Sequence, residues 1–162
     1  MRTKTFTAVV AAALVASVAT TAQARPTSGI LGCTKLIAID GHQAIEFCGP
    51  ATGLAHVGSH SGRYHGGSCV TAAGRFAVNI GISATPGEVT PLPNWLNITT
   101  LMTPKAGLQA VSISLVLDGK GYAIVKGMLD LASTRKSGSF TGLTGANPFL
   151  NPTVRVQGSF TC

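Results

Sequence analysis

Three histidines, His56, His60 and His65, lie within ten residues of one another in the segment HVGSHSGRYH. If the chain turns at residues 60–61, His56 and His65 become neighbours on adjacent strands, where two imidazoles suit zinc or copper. The segment contains no Cys, Asp or Glu to complete a coordination sphere. The alternative is an exposed hairpin with three polar side chains, and we predict that no metal is bound.

Signatures of catalysis are weak in this sequence. The motif GSHSG at 58–62 carries histidine where a nucleophile elbow has serine. Asp40 and Asp118 each precede a glycine, as turn residues do, and only five acidic residues are available for a carboxylate pair. The GKG at 119–121 lacks the helix that a phosphate-binding loop requires. We therefore expect no enzyme, no catalytic residue and no cofactor, with a hydrolase as a weaker third hypothesis.

Residues 1–24 have the layout of a secretory signal peptide. Two basic residues precede an uncharged apolar run at 6–19, and the AQA that ends at Ala24 fits a small-x-small cleavage site. We predict cleavage between Ala24 and Arg25, which leaves one mature domain, 25–162; an uncleaved anchor is the alternative. No later segment approaches the ~18 apolar residues of a membrane span, so we expect no transmembrane span in the mature chain.

The charge of the mature chain is mildly positive. Loss of the signal removes two basic residues and lowers the formal net charge from +7 to +5. The basic residues are scattered, without the block typical of nucleic-acid binding, so we expect no nucleic-acid partner. A positive excess favours an anionic wall polymer or lipid surface, although solubility alone explains it as well.

The four cysteines, Cys33, Cys48, Cys69 and Cys162, all lie in the mature part. An even number in an exported chain predicts two disulfides, and their spacing does not match the paired CxxC pattern of zinc sites. A Cys69–Cys162 bridge would close a 94-residue loop, worth about 4–5 kcal/mol in the chain-entropy model. A Cys33–Cys48 bridge would close 16 residues, worth about 3 kcal/mol. These energies leave all three pairings open.

The residue pattern is all-β, because short Val/Ile/Thr-rich runs alternate with Gly, Pro, Asn and Asp and no helical apolar stripe is sustained. Asp118-Gly119 predicts a tight hairpin turn, and the three prolines within 85–94 predict a surface loop. Tyr64, Phe76 and Trp95 are candidates for a sugar-stacking surface, although core filling is expected first. We predict strands at 35–40, 43–48, 51–57, 63–70, 74–81, 95–102, 110–117, 121–126, 128–133, 138–143 and 153–162.

The last strand has a regular alternation. Val154, Val156, Gly158, Phe160 and Cys162 share one face, which predicts that Cys162 points inward beside Phe160. A terminal cysteine in a bridge would hold a chain end that otherwise frays. We expect one antiparallel β-sandwich or open barrel with two disulfides.

Two segments, CVTAAGRFAVNIG at 69–81 and SFTGLTGANPFLNPTVRVQGSFTC at 139–162, resemble the LpqH-type surface lipoprotein antigens of mycobacteria. The CGPA at 48–51 is similar to the opening of related small exported actinobacterial proteins. The resemblance implies an all-β cell-envelope protein, without enzymatic activity, that has a Cys69–Cys162 disulfide. That pairing leaves Cys33 with Cys48.

The resembling family attaches to the membrane by a lipid, and here the sequence departs from it. ILGC at 30–33 has the shape of a lipobox, but the polar segment 23–29 separates it from the apolar run. We therefore expect Cys33 to form a disulfide; acylation of Cys33, on the outer face of the plasma membrane, is the alternative. The function expected is an exported surface protein with a cell-wall, lipid or host-surface partner. The second hypothesis is a module that binds a lipid or cell-wall-derived ligand inside or between its sheets.

Overall fold

The computed structural model describes residues 32–145 and 153–162. The predicted signal peptide, its cleavage site between Ala24 and Arg25, and the ANP segment at 146–148 lie outside the described residues. Eleven strands follow one another in this part of the chain: β1 Thr34–Ile39, β2 His42–Phe47, β3 Thr52–Val57, β4 His60–His65, β5 Gly67–Ala72, β6 Arg75–Ala84, β7 Trp95–Thr100, β8 Gly107–Leu117, β9 Lys120–Leu131, β10 Ser137–Thr144 and β11 Arg155–Thr161.

All strand pairs are antiparallel, in the order β1-β2-β6-β7-β8-β9-β10-β11-β3-β4, with β5 also paired to β6. The sheet curls over itself without closing, so that β3 and β4 lie across the shared core from β6, β7 and β8. Gly53 of β3 faces Leu96 of β7, and the Tyr64 hydroxyl of β4 donates a hydrogen bond to the Val116 carbonyl oxygen of β8 (3.1 Å). The predicted all-β fold with two disulfides is confirmed in this sandwich-like form.

The predicted alternation is confirmed in the strands that fill the core. On β8 the side chains of Val111, Ile113, Leu115 and Leu117 are all buried, whereas Ser112 is exposed. Burying such aliphatic side chains contributes roughly 1.5–3 kcal/mol each, so the hydrophobic pattern alone fixes which face of β8 turns inward.

The terminal strand follows the same rule. Val156 and Phe160 are buried, and Cys162 packs against the core, while the alternate residues from Arg155 to Thr161 are exposed. The prediction that Cys162 points inward beside Phe160 is therefore confirmed.

Several predicted strand boundaries are wrong. The predicted strand 63–70 is two strands, because Gly66 adopts a left-handed conformation (φ +71°) between β4, which pairs with β3, and β5, which pairs with β6. The predicted strands 121–126 and 128–133 are the single strand β9. Lys126 (φ +54°) is an extra residue in the ladders to β8 and β10, and such a bulge bends a strand without ending it.

Two further boundaries differ from the prediction. Strand β6 continues to Ala84, because its last three residues pair with β2 beyond the end of β5. Strand β7 ends at Thr100, although strand was predicted to 102, so Leu101 and Met102 belong to the following loop. The predicted turn at Asp118-Gly119 is confirmed, with φ of +51° and +76° as a primed turn requires.

Candidate functional site

The Cys69–Cys162 disulfide spans the open side of the sandwich. Cys69 lies in the middle of β5, opposite Val78 of β6, and Cys162 follows the last residue of β11. Their Cα atoms are 5.6 Å apart, within the usual range for a disulfide, and both residues pack against the hydrophobic core. The Cys162 amide also donates a hydrogen bond to the Lys136 carbonyl oxygen (2.7 Å). The end of the chain is thus held both covalently and by the backbone.

The Cys33–Cys48 disulfide lies at the edge of the sheet. It joins the residues that flank the paired ends of β1 and β2, where Thr34 faces Phe47, and their Cα atoms are 5.2 Å apart. The Cys48 amide donates a hydrogen bond to the Cys33 carbonyl oxygen (3.1 Å), which extends the ladder by one pair. The bridge therefore clamps the open end of one hairpin.

The histidine segment does not bring His56 opposite His65. The chain turns at Gly58-Ser59, two residues earlier than the turn that would bring His56 opposite His65. His56 faces Ser61 instead, and His65 faces Thr52 at the other end of the β3–β4 hairpin. The two-residue turn is favoured because Gly58 takes the left-handed conformation (φ +59°). The turn at residues 60–61 on which a His56–His65 pair depends is therefore not formed.

The described residues, 32–145 and 153–162, contain no group of three or more His, Cys, Asp or Glu side chains that could hold a metal ion. Asp40 and Asp118 both lie in tight turns with positive φ, each followed by a left-handed glycine. Their role as turn residues, predicted from the sequence, is confirmed.

Two of the three aromatic side chains considered for sugar stacking belong to the core. Tyr64 is 1% exposed and Phe76 is 2% exposed, and the Phe76 ring lies 6.0 Å from that of Phe160. Trp95 is only partly buried, at the start of β7. Burial raises the pKa of the Tyr64 hydroxyl well above its usual value, and the charge of Asp118 raises it further. Tyr64 thus links β4 to β8 as a neutral hydrogen-bond donor.

A surface cleft of about 280 Å³ opens where the sheet fails to close, between β2, β4 and β6. Its polar lining includes Glu46, Arg63, His65 and Asn94, with Tyr64 at its base. Arg63 and His65 are exposed because alternate residues of β4 turn outward when Tyr64 turns inward. The cleft brings an acid from β2, a guanidinium and an imidazole from β4, and an amide from the loop before β7 to one opening.

Sequence reasoning missed this cleft. Glu46 and Arg63 are 17 positions apart in strands that are not neighbours in the sheet, and no motif connects them. The alternation in HSGRYH was the available signal, since placing Tyr64 in the core would have turned Arg63 and His65 to the surface.

No family model matches this chain, and no curated protein and no solved structure is significantly similar. In the described part of the chain, the search for helices of sufficient length and apolarity to cross a membrane finds none. The two disulfides suggest an extracytoplasmic protein, because such bonds persist in oxidising compartments.

Proposed function

We propose that this chain is an exported, non-enzymatic surface protein of a bacterial cell envelope, or a protein secreted from it. The observation that carries the proposal is the Cys69–Cys162 bridge, which joins the last residue to β5 across the open side of the sandwich. Such a bond needs an oxidising compartment, and the signal-like segment 1–24 provides a route to one. The resemblance of 139–162 to LpqH-type antigens adds the expectation of surface display.

The absence of an enzymatic role is supported by how the reactive residue types are used. Asp40 and Asp118 form turns, and all four cysteines are consumed in disulfides. His56 and His65 lie at opposite ends of their hairpin, so they do not act together. A sandwich that uses these Asp, Cys and His residues in this way suits a protein that acts through its surface.

Mass spectrometry of the chain expressed with its own N-terminus tests the proposal. The exported product should begin at Arg25, and a non-reducing digest should contain the peptide pairs joined by Cys69–Cys162 and Cys33–Cys48. An Ala24→Lys variant, which disrupts the predicted cleavage site, should keep residues 1–24. A full-length cytosolic product with free thiols would contradict the proposal. An acyl group on Cys33 would replace only the Cys33–Cys48 bridge and move the chain to the outer face of the plasma membrane.

A binding module for a lipid or cell-wall-derived ligand is the second candidate. The interior is filled by Tyr64, Phe76, Phe140 and aliphatic side chains, which favours the surface as the place for a ligand. The cleft between β2, β4 and β6 offers Glu46 and Arg63 as opposite charges for a zwitterionic wall fragment. Titration with a muramyl peptide, followed by NMR, should shift the cleft resonances. Arg63→Gln should abolish these shifts, whereas the control Arg155→Gln should not.

A further inference from the structure

One end of the sandwich brings three connections together. They are the β5–β6 turn at 73–74, the β7–β8 loop at 101–106 and the β9–β10 turn at 132–136, and we call this surface the basic end. The guanidinium of Arg135 donates a hydrogen bond to the Pro104 carbonyl oxygen (3.3 Å), which joins the last two connections. The Phe76 amide donates to the Thr100 hydroxyl oxygen (2.9 Å), which joins the start of β6 to the end of β7.

Large apolar side chains project from the basic end. Leu101, Met102 and Leu108 are 52%, 77% and 72% exposed, and they are three of the five most exposed large hydrophobic residues among those described. Met102 and Leu108 line a cleft of about 420 Å³ together with Lys105 and Gln109. An isolated exposed leucine is ordinary in a soluble protein, but Met102 and Leu108 line one cleft and Leu101 precedes Met102 in the same loop, which indicates an interaction surface.

Positive charge surrounds these apolar side chains. Arg75, Lys105, Arg135 and Lys136 are all exposed at or beside the three connections. None of the three connections contains an Asp or a Glu. Three of the five acidic residues of the chain lie in the turns and loops of the opposite end of the sandwich: Asp40, Glu88 and Asp118.

One acidic residue, Asp130, lies beside these apolar side chains. It faces Leu108 across the β8–β9 ladder, on the exposed face of the sheet behind the loops. Lys120 also lies at the far end, so the strands run from an end whose three connections carry only basic charges to an end that carries charges of both signs.

The β7–β8 loop is held in shape before it meets any partner. The side-chain amide of Gln109 donates to the Lys105 carbonyl oxygen (2.6 Å), and the Lys105 amide donates to the Gln109 side-chain oxygen (3.3 Å). With the Arg135–Pro104 bond, these contacts fix the loop at three points. Docking through a preformed loop avoids part of the ordering entropy that a free loop would lose.

We propose that the basic end docks on an anionic phospholipid bilayer, with Leu101 and Met102 inserted at the headgroup level and Lys105 and Lys136 against the phosphates. A bilayer interface matches both features, because it accepts apolar side chains and attracts nearby cations. An anionic wall polymer would use the cations alone. The proposal rests on the extracytoplasmic location proposed above, since only there would this end meet the outer leaflet.

Vesicle binding by the naturally exported, oxidised chain tests the docking surface. The chain should co-sediment with vesicles of phosphatidylglycerol and phosphatidylcholine, and not with vesicles of phosphatidylcholine alone. Raising the salt from about 0.01 M to about 0.1 M shortens the screening length from roughly 30 Å to roughly 10 Å and should weaken binding. Equal binding to both kinds of vesicle would overturn the proposal.

Matched variants separate the contribution of apolar side-chain insertion to vesicle binding from the contribution of the lysine charges. The double variant Leu101→Gln/Met102→Gln should bind the anionic vesicles at least roughly tenfold more weakly, whereas Leu36→Gln, at a site 62% exposed on β1, should bind normally. Lys105→Gln and Lys136→Gln should each weaken binding about fivefold, and the far-end control Lys120→Gln should not.

Loss of binding in the lysine variants without loss in the Leu101/Met102 variant would assign the basic end to an anionic polymer and overturn the bilayer proposal. Because all these side chains are exposed, an intact-mass and circular-dichroism check should show folded, oxidised protein in every case. Vesicle binding and export are measured separately. A cytosolic chain that binds vesicles would contradict the location alone, and an exported chain that does not would contradict the docking surface alone.

Discussion

The two disulfides make the same covalent bond in two different structural settings. Cys69–Cys162 joins β5 to the end of β11, 93 positions away and across the unpaired side of the sandwich, and it packs on the core. Cys33 and Cys48 are 15 positions apart in the sequence, and their bridge joins two neighbouring strands at the margin of the sheet. The Cys69–Cys162 bridge links two strands that no backbone hydrogen bonds join, whereas the Cys33–Cys48 bridge reinforces a hairpin whose strands are already paired.

The regions around the two bridges also differ in how extensively their strands are paired with the rest of the sheet. The β1–β2 hairpin pairs with β6 through three residue pairs of β2, from Ala44 opposite Ala84 to Glu46 opposite Ile82. Strand β11 is paired along its length on both sides, with β10 and with β3, and its Phe160 reaches the aromatic core. Stability that is unevenly distributed in this way should show separate local and global unfolding.

The largest effect is expected from Cys69→Ala/Cys162→Ala. The loss of a 94-residue loop constraint costs about 4–5 kcal/mol in the chain-entropy model, a large share of the roughly 5–15 kcal/mol that stabilises a typical domain. We expect urea denaturation of the purified variant to show a free energy of unfolding lower by about 4–5 kcal/mol, with a correspondingly lower midpoint. A loss below about 1 kcal/mol would show that the strand ladders alone close the sandwich.

The Cys33→Ala/Cys48→Ala variant should be less affected, by about 3 kcal/mol at most, because its loop is 16 residues long. Hydrogen exchange is the sharper measurement. Amides of β1 and β2 should lose protection, while those of β8 should keep theirs, because β8 is paired on both sides far from this edge. An equal loss of protection in β1, β2 and β8 would remove the distinction between the two bridges.

The parts of this fold that could be predicted from sequence are those set by local alternation. The inward faces of β8 and β11 and the Asp118-Gly119 turn follow directly from side-chain types at period two and from turn chemistry. The split at Gly66 could not be predicted in this way, because a glycine in a polar run is compatible both with a strand interior and with a break between two strands. Tertiary pairing with different partners decides between them.

The candidate sites depended even more on tertiary structure. The disulfide pairing followed from a resemblance, whereas spacing alone left three pairings open. The Glu46–Arg63 cleft and the basic end arise because strands distant in sequence end at the same place, and no local pattern encodes that meeting. Leu101 and Met102 continue the apolar pattern of β7, and only the end of pairing at Thr100 leaves them exposed.

A smaller effect, roughly 1–3 kcal/mol, is expected from Gly158→Ala in the middle of β11. A Cβ there would overlap the Leu54 carbonyl oxygen and the Phe140 ring, so the core beside the long bridge must shift. Gly121→Ala in β9 is the matched control, because its Cβ would meet nothing within 4 Å. Thermal unfolding should show a lower Tm for the first variant and an equal or higher Tm for the second. Equal Tm values would mean that the region around β11 is less tightly packed than its burial indicates.

The smallest effect is expected from Tyr64→Phe, which removes the hydroxyl that links β4 to β8 near the open side of the sandwich. At pH 8 the lost hydrogen bond should cost about 1 kcal/mol.

The sign of this stability difference between the wild type and Tyr64→Phe should change in alkali. Burial raises the pKa of Tyr64, so above about pH 10 the unfolded chain releases a proton that the folded chain retains. The wild type should then lose up to about 1.4 kcal/mol per pH unit, and the Phe variant should be spared that loss. Urea denaturation at pH 8 and near pH 11 should therefore show the stability difference between the wild type and Tyr64→Phe shrinking and reversing. A parallel decline of wild type and Tyr64→Phe would mean that this hydroxyl is ionised or solvated in the folded protein.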